Sequence, residues 1–234
     1  MVIATLYALI PMGVAILGGL IASLYVPKPK MVGALQHFVA GIVIGAVAIE
    51  LVPKILGQES SWTVGIGFLL GVIAMILLHE LAHFLIDHQG KESLPYGLIA
   101  ASGIDLFIDG ILIGVAFLAG SPSGIVIAAS LSLCALFLNM AVATSLRKRQ
   151  VGRGLKLTII TAIAITIPLG ALVGSTVIAL FPPIILVETL AFGVAALLYL
   201  GVEELLAEAH ETKDTAWVSG AFFLGFLVIL LIRA

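Results

Sequence analysis

"GFLLGVIAMILLHELAHFLID", residues 67–87, decides the fold class. Apart from two histidines and two acids, every residue in it is apolar or glycine. About 20 consecutive apolar residues cross the hydrocarbon core of a bilayer. In lipid the backbone must satisfy its own hydrogen bonds, and a continuous run of this length does so as a helix. Seven similar runs complete the chain, giving eight at roughly 3–25, 33–55, 63–87, 95–119, 123–146, 155–180, 184–208 and 216–233. They use nearly all of the 234 residues. The expected fold is therefore an all-α integral membrane protein of eight transmembrane helices, one transmembrane domain over 1–234. Composition agrees, at 62% hydrophobic and 10% charged, where a soluble domain is nearer half and a quarter. The first run has no basic leader and no cleavage motif, so it reads as a retained helix. The single Cys134 forbids an intrachain disulfide.

Orientation follows from the basic residues, which concentrate on the cytoplasmic side of a membrane. Nine lie in the loops after helices 1, 3, 5 and 7: Lys28, Lys30, Lys91, Arg147, Lys148, Arg149, Arg153, Lys156 and Lys213. Only Lys54 and Arg233 lie on the other side. This predicts both termini outside and the helix 5–6 loop in the cytoplasm, in the cell (inner) membrane. The net charge of −2 and the composition give no sign of nucleic-acid binding. The expected partners are membrane lipid and a small ion, and a homodimer is left open.

The chain echoes itself. "IPMG" at 10–13 resembles "IPLG" at 167–170, an offset of 157. "ELVPK" at 50–54 lines up with "ELLAE" at 204–208, and "GFLLGVIAMILL" at 67–78 with "AFFLGFLVILL" at 221–231, both at an offset of 154. The spacing predicts a first repeat in 1–87 (helices 1–3) and a second in 155–234 (helices 6–8). Central helices 4 and 5 occupy 95–146. Five helices separate the repeat starts, so the two copies have opposite orientation. Inverted repeats with a midplane site are a signature of secondary transporters.

Ionisable groups inside a bilayer are costly and usually line a polar path. "SGIDLFIDGILIGVAF" at 102–117 places Asp105 and Asp109 on one face of helix 4 near mid-span. Two such acids repel each other, and a divalent cation or protons would relieve them. Glu50, near the outer end of helix 2, and its repeat partner Glu204, near the inner end of helix 7, suit an entrance and an exit. Each also reads plainly as an interfacial carboxylate in water. Asn139 on helix 5 can offer a carbonyl oxygen to a cation or bond across helices. His37, His79, His83, His88 and His210 all fall toward the cytoplasmic side. His79 and His83 share a face that Asp87 continues, and Glu204, Glu208 and Glu211 form a similar stripe. These groups suit a vestibule for Zn²⁺, Mn²⁺ or Fe²⁺, or are polar helix ends facing water.

His79-Glu80-Leu81-Ala82-His83 also fits the zinc-peptidase pattern H-E-x-x-H. A protease needs a third ligand and an open water position. "HELAHFLIDHQG" looks like the motif of site-2 proteases, with Asp109-Gly110 as a possible second signature. That reading leaves the repeat and the topology unexplained.

Taken together, the chain resembles the ZIP (Zrt/Irt-like) family of divalent metal transporters. "DLFIDGILIGVAF" at 105–117 looks like the family's fourth-helix motif. "PLGALVG" at 168–174 looks like its sixth, "LLYLGVEELLAE" at 197–208 like its seventh and "GAVAIELVP" at 45–53 like its second. The resemblance implies eight helices, outside termini and inverted repeats around helices 4 and 5. It also implies Asp109 as the acidic ligand of helix 4. There are departures. Asp105 stands where the family has His, Leu106 where it has Asn, Ile167 where many members have Glu, and Glu50 where helix 2 has His. "SLSLCALFLNMAVA" at 130–143 lacks the fifth-helix motif, and the His-rich loop after helix 3 is absent. The family's two-metal centre is not intact here.

The expected function is secondary transport of a divalent transition metal toward the cytoplasm by alternating access. Zn²⁺ comes first, with Mn²⁺ or Fe²⁺ as alternatives. The metal is substrate, no prosthetic cofactor is expected, and the protein is not expected to be an enzyme. The candidate ligands are Asp105, Asp109, Asn139, Glu50, Glu204, His79, Glu80 and His83. The alternatives are an intramembrane zinc metalloprotease built on His79-Glu80-x-x-His83 and a non-transporting metal sensor.

Overall fold

The computed structural model describes residues 2–25, 29–56, 61–87, 94–210 and 216–233. Lys28, His88, Lys91, Glu211 and Lys213 lie outside them, as do the side chains of Asp87, Glu208 and His210. Among the described residues all regular structure is helical. Helix α1 is Val2–Leu24. Helix α2 runs from Pro29–Ala46 through a π-helical turn, Val47–Leu51, into Val52–Ile55. Helices α3 (Ser61–Asp87), α4 (Tyr96–Ala119) and α5 (Ser121–Lys148) follow. Helix α6 is Arg153–Val177 with a 3₁₀ turn, Ile178–Leu180. Helix α7 is Pro183–Tyr199, a π turn Leu200–Leu206, and Ala207–His210. Helix α8 is Ala216–Arg233. Each matches a hydrophobic run to within a few residues.

Seven of these helices are long and apolar enough to cross a membrane, and the eighth, Val218–Arg233, is apolar but shorter. The chain is an integral, multi-pass helical membrane protein. Its outer surface is greasy, with Leu69, Leu70, Ile73 and Leu77 of α3 and Phe223, Leu224 and Leu231 of α8 exposed. In water such a surface would aggregate, whereas in lipid it is solvated.

Burial separates an inner from an outer ring. The apolar windows of α5 and α2 are 67% and 61% buried, and those of α4 and α7 50% each. The window of α3 is only 22% buried. The sequence placed α4 and α5 at the centre; α2 and α7 join them there.

Four helix pairs carry most of the packing: α4 with α6, α1 with α5, α2 with α8, and α3 with α7. The α4–α6 contact rests on Gly110 and Gly114 facing Gly170 and Gly174. A Cβ at any of the four would strike a carbonyl of the opposite helix. Without a hydrophobic force between helices in lipid, this close approach lets dispersion hold them. Gly225 packs in the same way on the Phe38 carbonyl, and Gly71 on that of Phe192. Gly120 alone turns the chain between α4 and α5, at φ 148°, a region open only to glycine at low cost. This one-residue link fixes the two central helices side by side.

The two π turns lie in the inner ring. In α2 the turn is followed by Pro53, which has no N–H to give the Ile49 carbonyl its usual helical partner. In α7 the turn contains Gly201 and no proline. Single π turns of this kind are frequent at functional sites. Glu50 sits in the first and Glu204 in the second.

Candidate cation site

One end of the bundle carries the α5–α6 connection with Arg147, Lys148, Arg149 and Arg153, and is called the basic end below. Three polar residues of α4 form a stripe from that end to mid-helix. Ser102, Asp105 and Asp109 are spaced three and four apart and so lie along one face. Ser102 is 2% exposed and Asp109 3%. Neither the Ser102 Oγ nor the Asp109 Oδ2 has a hydrogen-bond partner among the described residues. Buried polar atoms are nearly always satisfied, and an orphan oxygen in a protein interior is unfavourable until a proton, water or cation reaches it. Asp105 lies one helical turn from Asp109 on the same face, and Glu204 lines the same cavities as Asp105.

Asp105 opens onto two small cavities. The larger, about 180 Å³, lies between α3, α4, α5 and α7, and its polar lining is His79, Ser102, Asp105 and Glu204. The smaller, about 70 Å³, is bordered by Asp105, Cys134 and Glu204. Asp105, Leu138 and Glu204 belong to both. A water takes about 30 Å³ in the liquid, so the larger space admits a partly hydrated ion. Both cavities lie on the basic-end side of Asp109.

Glu50 has a different setting. It is 2% exposed, near the opposite end of the bundle. Ser123 Oγ donates to its Oε2 at 2.8 Å. The guanidinium of Arg233 grips both carboxylate oxygens, Nη2 on Oε2 at 2.6 Å and Nε on Oε1. These bonds tie α2, α5 and α8 together. Sequence reasoning missed Arg233 and Ser123. Arg233 looked like a lone basic residue ending an apolar helix, with no pattern linking it to Glu50.

The remaining candidates divide. His79 is half-buried at the larger cavity, with its ring centroid 4.5 Å from that of His83 and 6.2 Å from that of Tyr199. Glu80 and His83 are exposed on the rim of the bundle. Asn139 is fully buried, but its Nδ2 donates to the Ile160 carbonyl on α6 at 3.3 Å. One residue past Leu138, it points about 100° around α5 from the cavity wall and lines neither cavity. Its Oδ1 has no partner among the described residues. Among those residues, no three His, Cys, Asp or Glu side chains gather closely enough to hold a metal. The structure therefore joins Asp105, Glu204 and His79 around one space, with Asp109 behind them. It leaves Glu50, Asn139, Glu80 and His83 elsewhere.

No known family model matches the chain, and no curated protein matches it.

Proposed function

We propose that this protein is a secondary transporter that carries a divalent cation toward the cytoplasm by alternating access. The observation that carries the reading is an asymmetry around buried acids. Asp105, with Asp109 one turn behind it, opens onto cavities on the basic-end side, while at the other end Glu50 is closed off by Arg233. The basic end is then the cytoplasmic one, with both termini outside.

The moving parts are two inverted halves, helices α1–α3 and α6–α8, around α4 and α5. Exchanging α1 with α6, α2 with α7, α3 with α8 and α4 with α5 maps the four main helix contacts onto one another. The same 154-residue offset carries Phe38–Gly225 onto Phe192–Gly71, and one π turn onto the other. The symmetry of the helix contacts supports the repeat independently of the sequence echoes. The resemblance to ZIP transporters points the same way.

Asp105 and Asp109 are the central ligands, with Ser102 and water filling the shell and Glu204 on the release path. This donor set is rich in oxygen, with His79 the one imidazole at the cavity among the described residues. Such a site takes Mn²⁺ beside Zn²⁺ or Fe²⁺, with broad selectivity. Uptake of Zn²⁺, Mn²⁺, Fe²⁺ and Cd²⁺ into proteoliposomes is the direct test. No uptake under any imposed gradient overturns the transport reading in favour of a sensor. Cleavage of a membrane peptide, abolished by Glu80→Gln, overturns it in favour of a protease.

A further inference from the structure

We infer that Arg233 is a gate residue at the mouth beside Glu50, with His79 at the equivalent repeat position of the other mouth, and that Arg233 holds an outer cation-capture site by occupying Glu50 in place of the substrate. The inference rests on the transport reading above and assigns the gates of that site.

The first ground is the geometry of Glu50. A carboxylate with 1% of its side chain exposed is reached by a guanidinium whose own side chain is 38% exposed. The fork takes both oxygens, and Ser123 takes a further lone pair. Bidentate charge-assisted pairs are strong and geometrically specific. A divalent cation would need the same oxygens, so cation and Arg233 compete for one site. Arg233 ends α8, and its release unties that end of α8 from Glu50 while the rest of the α2–α8 packing stays.

The second ground is the repeat. Glu50 and Glu204 are 154 apart, and so are His79 and Arg233. The echo between 67–78 and 221–231, carried on at the same offset of 154 to the end of α8, sets His79 against Arg233. At the basic end the equivalent pair, Glu204 on α7 and His79 on α3, lines a cavity of about 180 Å³. At the opposite end its counterpart is a closed ion pair. The same two repeat positions therefore form an ion pair at one end and line a cavity at the other. This also gives the first histidine of the HELAH segment a role that needs no third zinc ligand. In the outward-facing state His79 closes on Glu204 as Arg233 here closes on Glu50.

The test reads accessibility rather than transport. Ile127 lies one turn below Ser123 on α5 and is fully buried. In a Cys134→Ser background, Ile127→Cys is treated from outside with a membrane-impermeant maleimide. With Arg233 intact the thiol is protected. Arg233→Gln raises the labelling rate about tenfold or more, the loss expected for hydrogen bonds to a charged group. Arg233→Lys, which keeps the charge and loses the fork, falls between. Ile163→Cys, buried on α6, serves as a folding control. If Arg233→Gln exposes that site equally, the protein has unfolded, and Arg233→Lys decides. Labelling of Ile127→Cys at the parent rate in a folded variant overturns the gate. In Mn²⁺-loading vesicles, Arg233→Gln also lowers the half-saturating outside concentration. Loss of protection without uptake in any variant keeps the latch and removes the transport reading instead.

Discussion

Glu50 and Glu204 lie 154 residues apart, at matching positions of the proposed repeat, and live in different surroundings. Each sits in a π turn of an inner helix. Glu50 is sealed among α2, α5 and α8 by a fork from Arg233 and a bond from Ser123. Glu204 is half-buried beside a cavity it shares with His79 and Asp105. The side chains at the two matching positions differ, Arg233 bonded to Glu50 and His79 lining a cavity with Glu204. A guanidinium satisfies two carboxylate oxygens at once, whereas an imidazole nitrogen offers a single bond. In the proposed repeat the two positions are therefore held unequally, Glu50 by a fork and Glu204 beside a cavity. A symmetric scaffold with unequal latches has a preferred resting state, which the substrate shifts only by binding the two states differently.

The sharpest way to break this comparison is to neutralise the acids between the two mouths. Asp109→Asn and Asp105→Asn should each lower cation uptake on the order of a hundredfold, about 2.8 kcal/mol of lost stabilisation. The Asp109 change should weaken binding measured by calorimetry as well. Glu204→Gln should act on uptake less than either, because it stands on the approach. A protein that keeps full affinity after Asp109→Asn has its working site elsewhere, and the two glutamates would then not flank it.

How much of this was legible beforehand varies with the physics involved. Helix positions came from hydropathy alone, because a bilayer demands long apolar runs and little else. The acid stripe of α4 was equally visible, since buried charge inside such runs is rare. The rotation of α5 was not. Asn139 and Leu138 are neighbours in sequence, and only packing decides which of them meets Asp105; α6 claimed the asparagine through Ile160. The Glu50–Arg233 pair was hidden for another reason. A tally of basic residues sets orientation but pairs nothing, and 183 positions separate the two. The second π turn has no proline to announce it.

The equivalence of the halves can be probed next through packing. Gly225→Val and Gly71→Val each push a side chain into a carbonyl of the facing helix. Forced overpacking of this kind costs about 1–3 kcal/mol. Unfolding in detergent should show both losses, with Gly225→Val the larger because its neighbour is closer. If one variant is destabilised and the other is as stable as the parent, α2–α8 and α3–α7 are not the same joint built twice.

A smaller effect separates the latch from its surroundings. Ser123→Ala removes one donor to Glu50 while leaving the Arg233 fork. A buried hydrogen bond is worth about 1 kcal/mol net, so the stability change should be of that size. Labelling of Ile127→Cys from outside should rise modestly, and less than in Arg233→Gln. A larger rise for Ser123→Ala would make the hydroxyl rather than the guanidinium the main lock, and the contrast between arginine and histidine would lose its force.

The smallest expected effect falls on the segment that first drew notice. The His79 and His83 rings lie 4.5 Å apart at a tilt of 60°, yet only His79 borders the cavity, while Glu80 and His83 face outward. Exposed substitutions away from packed or paired groups change stability by about 0.5 kcal/mol or less. His83→Ala and Glu80→Gln should therefore leave uptake within about twofold of the parent. His79→Gln should change it more, by altering the closing partner of Glu204. This ordering is what distinguishes a gate from a metalloprotease. A protease needs Glu80 as its base and both histidines as ligands, so all three substitutions would be equally severe. A gate needs only the histidine whose repeat position is taken, at the other mouth, by Arg233.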